Sequence, residues 1–536
     1  MENVKELKSI IRYLPVVLRS STLFWPPLIV EALKALSNGP QLSNVDSGEL
    51  LFLAISDLRN SLSLASDPLA FSTPNGFSLF FDDLMSRAEA AKWFGDVVPE
   101  LAKLLLRLPS LLESHYANAQ EGTALRLLES QDAGIVVLSQ ELAGALLACS
   151  TLCLFPVAIR SAKCLPTINF DQLFASLYDS YDEKQENKIK CIVHYFERIS
   201  SNMPGGNISF QRKVLPLQQS SFAISYPTPG FWNKSAVSLC PFQVYSSGLI
   251  EDQTKEALEV DFANKYLGGG VLHRGCLQEE IRFMINPELI LGMLFLPAMA
   301  KNEAIEIVGT ERFSNYTGYA SSFHFSGDCV DKRDVDIIGR RKTRIIAIDA
   351  KSNPGYRQYK VEYMMREINK AFCGFIDQCY LQHVRPQNCT SEDVYMMNET
   401  TSTSSGDIKI RTTDRLIKDL EPKGNQFMGQ NDNIGIATGN WGCGAFGGDP
   451  ELKAIIQWLA ASQALRPFIS YYTFGIEELQ SLDQVTRWIT LQKWSVGDLW
   501  SMLIEYSSQR LKGETSVGFC SWLLPSLNVH DPMEIY

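Results

Sequence analysis

A glycine run followed by two carboxylates is the segment of this 536-residue chain that points most directly to chemistry. Residues 260–270 end in three consecutive glycines, and Gln278, Glu279 and Glu280 follow after a short spacer. Glycines leave the backbone bare and free to take conformations that other residues avoid. A bare loop before a helix N-terminus favours an anion such as phosphate, and paired carboxylates are what glycosidic hydrolysis needs. The run therefore predicts an anion site with acid–base groups beside it.

A second glycine-rich segment, residues 439–449, follows strand-like residues 434–438 and precedes a predicted helix at Glu451. A strand, a glycine loop and a helix in this order present backbone N–H groups to a diphosphate. The segment lacks the Gly-Lys-Ser/Thr of a Walker loop and the βαβ context of a dinucleotide fingerprint. Two such loops together favour a nucleotide that carries a diphosphate.

Each of these features taken alone also has an ordinary structural explanation. A triple glycine is often only a turn, and two acidic residues in the first turn of a helix complement its dipole. Aromatic side chains can stack on adenine but are more often simply buried; those considered are Tyr316, Tyr319, Phe446, Tyr472 and Phe474. Asp261 and Asn264, just upstream of the glycines, tip the interpretation toward a site.

Composition excludes several classes of protein. The net charge of −11 argues against a general duplex nucleic-acid binder, which needs a basic face. One local basic cluster exists, for which a solvated loop is the ordinary explanation: Lys332, Arg333, Arg340, Arg341, Lys342 and Arg344. The six histidines and twelve cysteines form no ligand-spaced pairs, so we expect no metal and no other cofactor.

No segment predicts secretion or a membrane span. The first residues lack the basic head and apolar core of a secretory signal. The most apolar window, residues 134–158, is interrupted by Gln140 and Glu141, whereas a span needs about 20 clean apolar residues. We therefore interpret this window as a buried helix.

The pattern of predicted secondary structure changes near residue 200. Residues 1–200 show helical spacing of leucines and predict a helical accessory domain, and residues 201–536 alternate strands with helices and predict a catalytic α/β domain with a mixed sheet. The predicted strands are 242–245, 304–308, 344–348, 435–438 and 469–474. The predicted helices are 277–295, 362–381, 450–465 and 496–506. Residues 386–432 contain a polar low-complexity stretch and predict a flexible insert.

Taken together, these motifs resemble poly(ADP-ribose) glycohydrolase. The similarity covers roughly residues 130–480 and rests on segments that occur in the family's order: 190–196, 250–252, 259–264, 278–283, 286–289, 316–320, 369–375 and 439–449. The resemblance implies a macrodomain, an α/β sandwich, preceded by a helical domain. Length and layout resemble the compact form of the family, such as the plant form.

The resemblance also implies a role for each matching residue. Glu280 is expected to be the catalytic acid, Glu279 to bind ribose hydroxyls and Asp261 to support the catalytic loop. The expected substrate-binding residues are Ile250 and Glu251 near adenine, Asn264 and Gln278 at the riboses, the glycines Gly268, Gly269 and Gly270, the flanking aromatics Tyr319, Phe446 and Phe474, and Asn440, Gly444 and Ala445 at the diphosphate.

The implied reaction is hydrolysis of the ribose–ribose O-glycosidic bond in poly(ADP-ribose), with release of ADP-ribose. A raised pKa would keep Glu280 protonated so that it can act as a general acid and then as a base. The alternative is a macrodomain that binds ADP-ribose without catalysis; the presence of both glutamates favours the enzyme. Expected partners are poly(ADP-ribose) and poly(ADP-ribosyl)ated proteins, with no duplex nucleic acid and no membrane. We expect a monomer located in the nucleus and cytoplasm.

Overall fold

The computed structural model describes residues 3–217, 226–253, 255–377 and 434–524. The insert predicted at residues 386–432 lies outside the described residues. Helices dominate the first part of the chain: α1 Val4–Ile10, α2 Pro27–Ser37, α3 Pro40–Ser43, α4 Gly48–Ser61, α5 Thr73–Ser78, α6 Arg87–Lys92, α7 Val98–Asn118, α8 Gln140–Thr151, α9 Asp171–Asp179 and α10 Glu183–Ser201. The leucines of α7 recur every three or four residues and are buried along one face, which is the pattern of a helix packed on a core.

Most strands lie in the second part of the chain, where they alternate with the remaining helices, but β1 to β3 lie among the first helices. The strands are β1 Val17–Arg19, β2 Thr22–Phe24, β3 Gly134–Ser139, β4 Asn207–Val214, β5 Phe242–Tyr245, β6 Ala257–Asp261, β7 Glu303–Gly309, β8 Ser314–Thr317, β9 His324–Asp328, β10 Arg341–Ala347, β11 Gly435–Gly439 and β12 Ile469–Tyr472. The helices are α11 Pro229–Asn233, α12 Gln278–Ile285, α13 Gly292–Phe295, α14 Val361–Phe375, α15 Pro450–Gln463, α16 Leu482–Leu491, α17 Val496–Lys512 and α18 Phe519–Leu523.

Eight strands form one mixed sheet in the order β3-β4-β7-β10-β6-β11-β12-β5. The strands β10, β6, β11, β12 and β5 run parallel to one another, while β3, β4, β7 and β10 pair antiparallel. Side chains alternate between the two faces. Ile345 packs into the core that includes the helical part, and Ile346 packs against the opposite layer. Helices therefore cover both faces of the sheet, which confirms the predicted α/β class.

The first 200 residues also contribute to the sheet. Residues 134–158 were expected to form one buried helix, but β3 occupies Gly134–Ser139 and pairs with β4 before α8 begins. Ser139 caps that helix by accepting a hydrogen bond from the Leu142 N–H, so the polar Ser139-Gln140 step marks the change from strand to helix. Among the described residues no helix is long and apolar enough to cross a membrane. The domain boundary at residue 200 stays a prediction.

The predicted strands lie close to the observed ones, but the predicted helix at 277–295 is wrong in its length. The α-helix ends at Ile285, and a 3₁₀ helix Pro287–Leu291 and the short α13 follow it. Pro287 cannot donate a backbone hydrogen bond and restricts the residue before it, which explains the break at Asn286. Helix α14 ends at Phe375, and residues 378–381 of the predicted helix lie outside the described residues.

Candidate active site

The carboxyl ends of four parallel strands define the candidate site. Ligands of such sheets bind where parallel strands end, and β6, β11, β12 and β5 all end at the same edge. The first glycine loop follows β6, and the second follows β11. A β-carbon placed on Gly439 would lie 2.9 Å from the ring of Phe474, after β12, and 3.5 Å from that of Phe262, after β6. The segments that follow three strands therefore meet at Gly439.

Glu280 is held at the start of helix α12 by two backbone donors. Its Oε1 accepts a hydrogen bond from the Gly270 N–H at 3.0 Å, and its Oε2 accepts one from the Leu277 N–H at 2.8 Å. The second contact is the reciprocal half of a capping box, in which an acidic residue in the first turn satisfies the N–H of the residue before the helix. The position of Glu280 thus fixes both the carboxylate and the beginning of the helix.

Glu279 is fixed in the same way on the other side of the loop. Its Oε2 accepts from the Asn264 N–H at 2.8 Å, and its Oε1 accepts from the Gly268 N–H at 2.7 Å. The two glutamates therefore point to different donors, as adjacent residues on a helix must.

Close approach explains why the first loop needs glycine. Gly269 has a φ of +50°, and a β-carbon there would lie 2.6 Å from an oxygen of Glu279 and 2.7 Å from one of Glu280. The N–H of Gly269 donates to the Tyr266 carbonyl, so all three N–H groups of the triple glycine bond within the protein. The N–H groups of Gly268 and Gly270 are thus used to hold the two carboxylates, and contact of the glycines with substrate stays a prediction.

Asp261, at the end of β6, completes a cluster of three buried carboxyl groups. Neither of its oxygens makes a hydrogen bond to the described residues. Burial raises the pKa of Asp261, the negative charge of Glu280 adds to the rise, and Arg282 opposes it. Burial also raises the pKa of Glu279 well above its ordinary value, with further contributions from the charges of Asp261 and Glu280. Both shifts favour the protonated forms of Asp261 and Glu279.

The side chains expected at the riboses line the first loop. Gln278 accepts from the Phe262 N–H at 2.8 Å and donates to the Val260 carbonyl at 3.1 Å, so its amide extends the pairing of β6. Asn264 Oδ1 accepts from the Tyr266 N–H at 3.0 Å. Tyr319 is 54% exposed, and burial of its hydroxyl raises its pKa, while a hydrogen bond with the Gln278 backbone lowers it. Tyr319 therefore covers the start of helix α12.

The segment expected near adenine lies beside the ends of β11 and β12. Ile250 is buried in a small cluster with Ala437 and Tyr472. Glu251 accepts a hydrogen bond from the Tyr316 hydroxyl at 2.5 Å, and its carbonyl accepts one from Arg333 at 2.7 Å. Phe474 is 45% exposed, with its ring centroid 6.3 Å from that of Tyr472. These contacts leave an open aromatic face at this end of the site.

The second glycine loop has three consecutive backbone N–H groups that are free in the described part of the chain. The N–H groups of Gly444, Ala445 and Phe446 make no hydrogen bond to any residue that the structure describes. The loop is fixed at its base, where Asn440 donates to the Thr473 carbonyl at 3.0 Å and accepts from the Tyr471 hydroxyl at 3.1 Å. Helix α15 follows, capped by Asp449. Consecutive free N–H groups ahead of a helix suit a diphosphate.

Sequence reasoning missed residues that support the two loops. Lys188 and Gln185, on α10, donate to backbone carbonyls of the spacer between the glycines and Glu280. Lys453 forms an ion pair with Glu367 under the second loop and stacks on Trp441, 4.1 Å from the ring centroid. In the sequence, these residues could be noticed only as polar residues on otherwise buried helix faces. That pattern does not show which groups they contact.

The basic cluster is largely paired with acidic side chains. Arg333 bonds to Glu259 at 2.7 Å, and Arg344 bonds to Glu256 at 2.9 Å. Arg341 likewise lies 3.3 Å from Glu311. No group of three or more His, Cys, Asp or Glu side chains in the described ranges is arranged to hold a metal ion.

Comparisons with known proteins agree with this architecture. A family model described as "Poly (ADP-ribose) glycohydrolase (PARG), helical domain" matches residues 85–212, and one described as "Poly (ADP-ribose) glycohydrolase (PARG), Macro domain fold" matches residues 229–481. The chain is 57% identical to "Poly(ADP-ribose) glycohydrolase 1" of Arabidopsis thaliana over 98% of both chains. It is 53% identical to "Probable poly(ADP-ribose) glycohydrolase 2" of the same plant, over 98% of this chain and 100% of the relative. A Caenorhabditis elegans relative, "Poly(ADP-ribose) glycohydrolase 1", is 33% identical over 54% of this chain.

Proposed function

The chain belongs to the poly(ADP-ribose) glycohydrolase family, and from that membership we propose that it hydrolyses ribose–ribose O-glycosidic bonds of poly(ADP-ribose), with Glu280 as general acid and base. Membership of a glycosidase family favours hydrolysis over binding alone. The observation that carries the proposal is the position of Glu280. Its carboxyl group is fixed by two N–H donors at the strand edge where the second loop offers free N–H groups.

The three carboxyl groups have different roles in the proposed reaction. Glu280 is 9% exposed, compared with 4% for Glu279 and 1% for Asp261, so it is the most accessible of the three. Protonated Glu280 donates its proton to the departing ribose oxygen as the oxocarbenium-like transition state forms. The resulting carboxylate then removes a proton from the incoming water. Asp261, at the end of β6 beside the two glutamates, supports the catalytic loop.

Glu279 orients the reacting sugar. Both of its oxygens are anchored by backbone N–H groups, and each oxygen retains a lone pair that can accept from a ribose hydroxyl. Because this anchoring restricts the carboxylate to one orientation, little is lost when it engages the substrate.

The second loop binds the ADP portion of the substrate. The N–H groups of Gly444, Ala445 and Phe446 donate to the diphosphate, and Phe446 and Phe474 pack on the ligand. Ile250 and Glu251 lie at the adenine. ADP-ribose, the product, contains all of these groups and should compete with the polymer.

Incubation of the protein with purified poly(ADP-ribose) tests the proposal, with released ADP-ribose as the readout and Glu280→Gln as the matched inactive variant. Release by the wild type alone supports hydrolysis through Glu280. Binding of ADP-ribose with no release by the wild type would instead support the non-catalytic alternative.

We also propose that poly(ADP-ribosyl)ated proteins are the physiological substrates, that the protein acts as a monomer without contacting duplex nucleic acid, and that it is located in the nucleus and cytoplasm. A fluorescent fusion and size-exclusion chromatography with light scattering test the last two points directly.

A further inference from the structure

Lys188 is a buried cation that the proposed mechanism has not yet used. It lies on α10, in the helical part of the chain, and its side chain is fully buried. Its Nζ donates to the His273 carbonyl and to the Gly275 carbonyl, each at 2.7 Å. Gln185, one turn earlier, donates to the same His273 carbonyl at 2.8 Å. Two side chains of one helix therefore hold the spacer between the triple glycine and Glu280.

The contacts continue from Lys188 to the carboxylate of Glu280. The Gly275 N–H donates to the Gly270 carbonyl at 3.0 Å, and the Gly270 N–H donates to Glu280 Oε1 at 3.0 Å. A β-carbon on Gly275 would lie 2.7 Å from Glu280 Oε1, so this turn directly adjoins the acid. The apolar side chains of Leu267, Val271 and Leu272 anchor the same loop in the core that it shares with the helical part.

We propose that Lys188 is a positioning residue for hydrolysis: it fixes the loop that holds Glu280, and its charge stabilises the Glu280 carboxylate once the proton has been given to the substrate. This inference rests on the proposed role of Glu280. It makes the helical part of the chain a component of the active site rather than a separable support.

Electrostatics agree with this geometry. Burial lowers the pKa of Lys188 to about 8, while Cys276 and Glu280 act to raise it, so the amine is mostly protonated at neutral pH. The other titratable groups that interact with Lys188 are Lys184, Asp182, His273 and Cys191. Those that act on or are influenced by Glu280 from the neighbouring elements are Asp261, Glu279, Tyr319 and Cys276. Lys188 is thus a buried cation whose charge interacts with that of Glu280.

The test compares Lys188→Met, of similar length but neutral, with Lys190→Met on the same helix, where the lysine is partly exposed and paired with Glu186. Release of ADP-ribose from poly(ADP-ribose) is followed from pH 5 to 9 in the full-length protein. For Lys188→Met we expect kcat to fall by about 10–100-fold, as misplaced catalytic groups do. In the plot of kcat against pH, we expect the fall at alkaline pH (the alkaline limb) to move to higher pH by about half a unit or more. The reason is that loss of a nearby positive charge disfavours ionisation of the general acid. Lys190→Met should match the wild type.

Two further variants separate charge from hydrogen bonding. Gln185→Leu removes a neutral donor to the loop and should lower kcat without moving the alkaline limb. If Lys188→Met does not fold, as judged by thermal melting, Lys188→Gln replaces it, since an amide can still donate to a carbonyl; we expect the shifted limb with a smaller loss of kcat.

A folded, neutral Lys188 variant with the kcat and pH profile of the wild type would overturn the inference and leave the proposed function intact, provided that Glu280→Gln is inactive. If the wild type releases no ADP-ribose, the proposed function fails and this inference fails with it.

Discussion

The two glycine-rich loops follow neighbouring parallel strands but use their backbone donors in opposite ways. In the loop after β6, the N–H groups of Gly268 and Gly270 are committed to Glu279 and Glu280. In the loop after β11, those of Gly444 to Phe446 bond to none of the described residues. From their composition alone, both loops would be expected to bind an anionic ligand. The first loop holds the acids, and the difference supports our proposal that the second receives an anionic ligand.

The neighbouring residues make the same distinction. The first loop is pinned by buried side chains and packed beside the helical part. The second is bonded at its base through Asn440 and through the Phe446 carbonyl, which accepts from the Asn353 N–H, but Gly444 and Ala445 are exposed. A change in the first loop should therefore alter the rate of the chemical step, whereas a change in the second should alter binding.

Removal of the acid should have the largest effect. Glu280→Gln keeps the shape of the side chain but cannot transfer a proton, and general acid–base loss costs about 10²–10⁴-fold in rate. We expect kcat for ADP-ribose release to fall by that factor while ADP-ribose still binds, as measured by calorimetry. Glu478→Gln, at an exposed position, is the control. Near-normal turnover by Glu280→Gln would show that another group is the acid.

Gly269→Ala should have the next largest effect, and it tests the first loop without replacing a carboxylate. The added methyl would collide with the oxygens of both glutamates and would demand a positive φ. We expect kcat to fall by about 10–100-fold as the carboxylates are displaced. Gly95→Ala, where a β-carbon would have nothing within 4 Å, serves as the control. An unchanged kcat would mean that the orientation of the carboxylates is not critical.

Phe446→Ala tests the second loop and should affect binding more than rate. Loss of an aromatic contact to the ligand weakens binding by about 1–3 kcal/mol. We expect the dissociation constant for ADP-ribose to rise accordingly and its thermal stabilisation of the protein to shrink, with kcat at saturating polymer little changed. Phe71→Ala removes an almost fully exposed ring and should leave binding intact. Wild-type affinity of Phe446→Ala would remove Phe446 from the site.

Asp261→Asn should change neither binding nor the division between the loops, but the dependence of stability on pH. The unfolded aspartate loses its proton near pH 4, but in the folded protein burial raises its pKa. The folded state therefore binds more protons than the unfolded state above pH 4, and its stability falls as pH rises toward the raised pKa. The asparagine variant escapes this loss, so its advantage in denaturant unfolding should grow between pH 5 and 8, by at most about 1.4 kcal/mol per pH unit. Asp57→Asn, at an exposed site, should show no such trend, and a constant difference for Asp261→Asn would contradict the raised pKa.

The sequence predicted the α/β class and the order of the motifs better than it predicted the central strand. Residues 242–245 were predicted as a strand and form one, since Phe242, Val244 and Tyr245 are residue types that favour strands. Ala257–Asp261, in the middle of the sheet, went unrecognised because it contains Glu259 and Asp261. Glu259 is paired with Arg282 and Arg333, and Asp261 is buried without such a partner, at the cost usual for a buried polar group. A single sequence shows neither arrangement.

The residues of the candidate site could be predicted from the sequence, but the hydrogen bonds between them could not. Gly268, Gly269 and Gly270 were expected to approach a ligand, yet which acceptor takes each N–H depends on how the loop folds back on Glu279 and Glu280. Lys188 lies about 90 residues from Glu280 in the chain, and only the packing of α10 on the loop brings them into one arrangement.

Residue-resolved hydrogen–deuterium exchange, with and without ADP-ribose, tests the division between the two loops most directly. We expect the amides of Gly268 and Gly270 to be protected already in the free protein, because the carboxylates hold them. The amides of Gly444, Ala445 and Phe446 should exchange rapidly until ADP-ribose is added and then become protected. Slow exchange at Gly444 to Phe446 in the free protein, or unprotected Gly268 and Gly270 that respond only to ligand, would contradict this division.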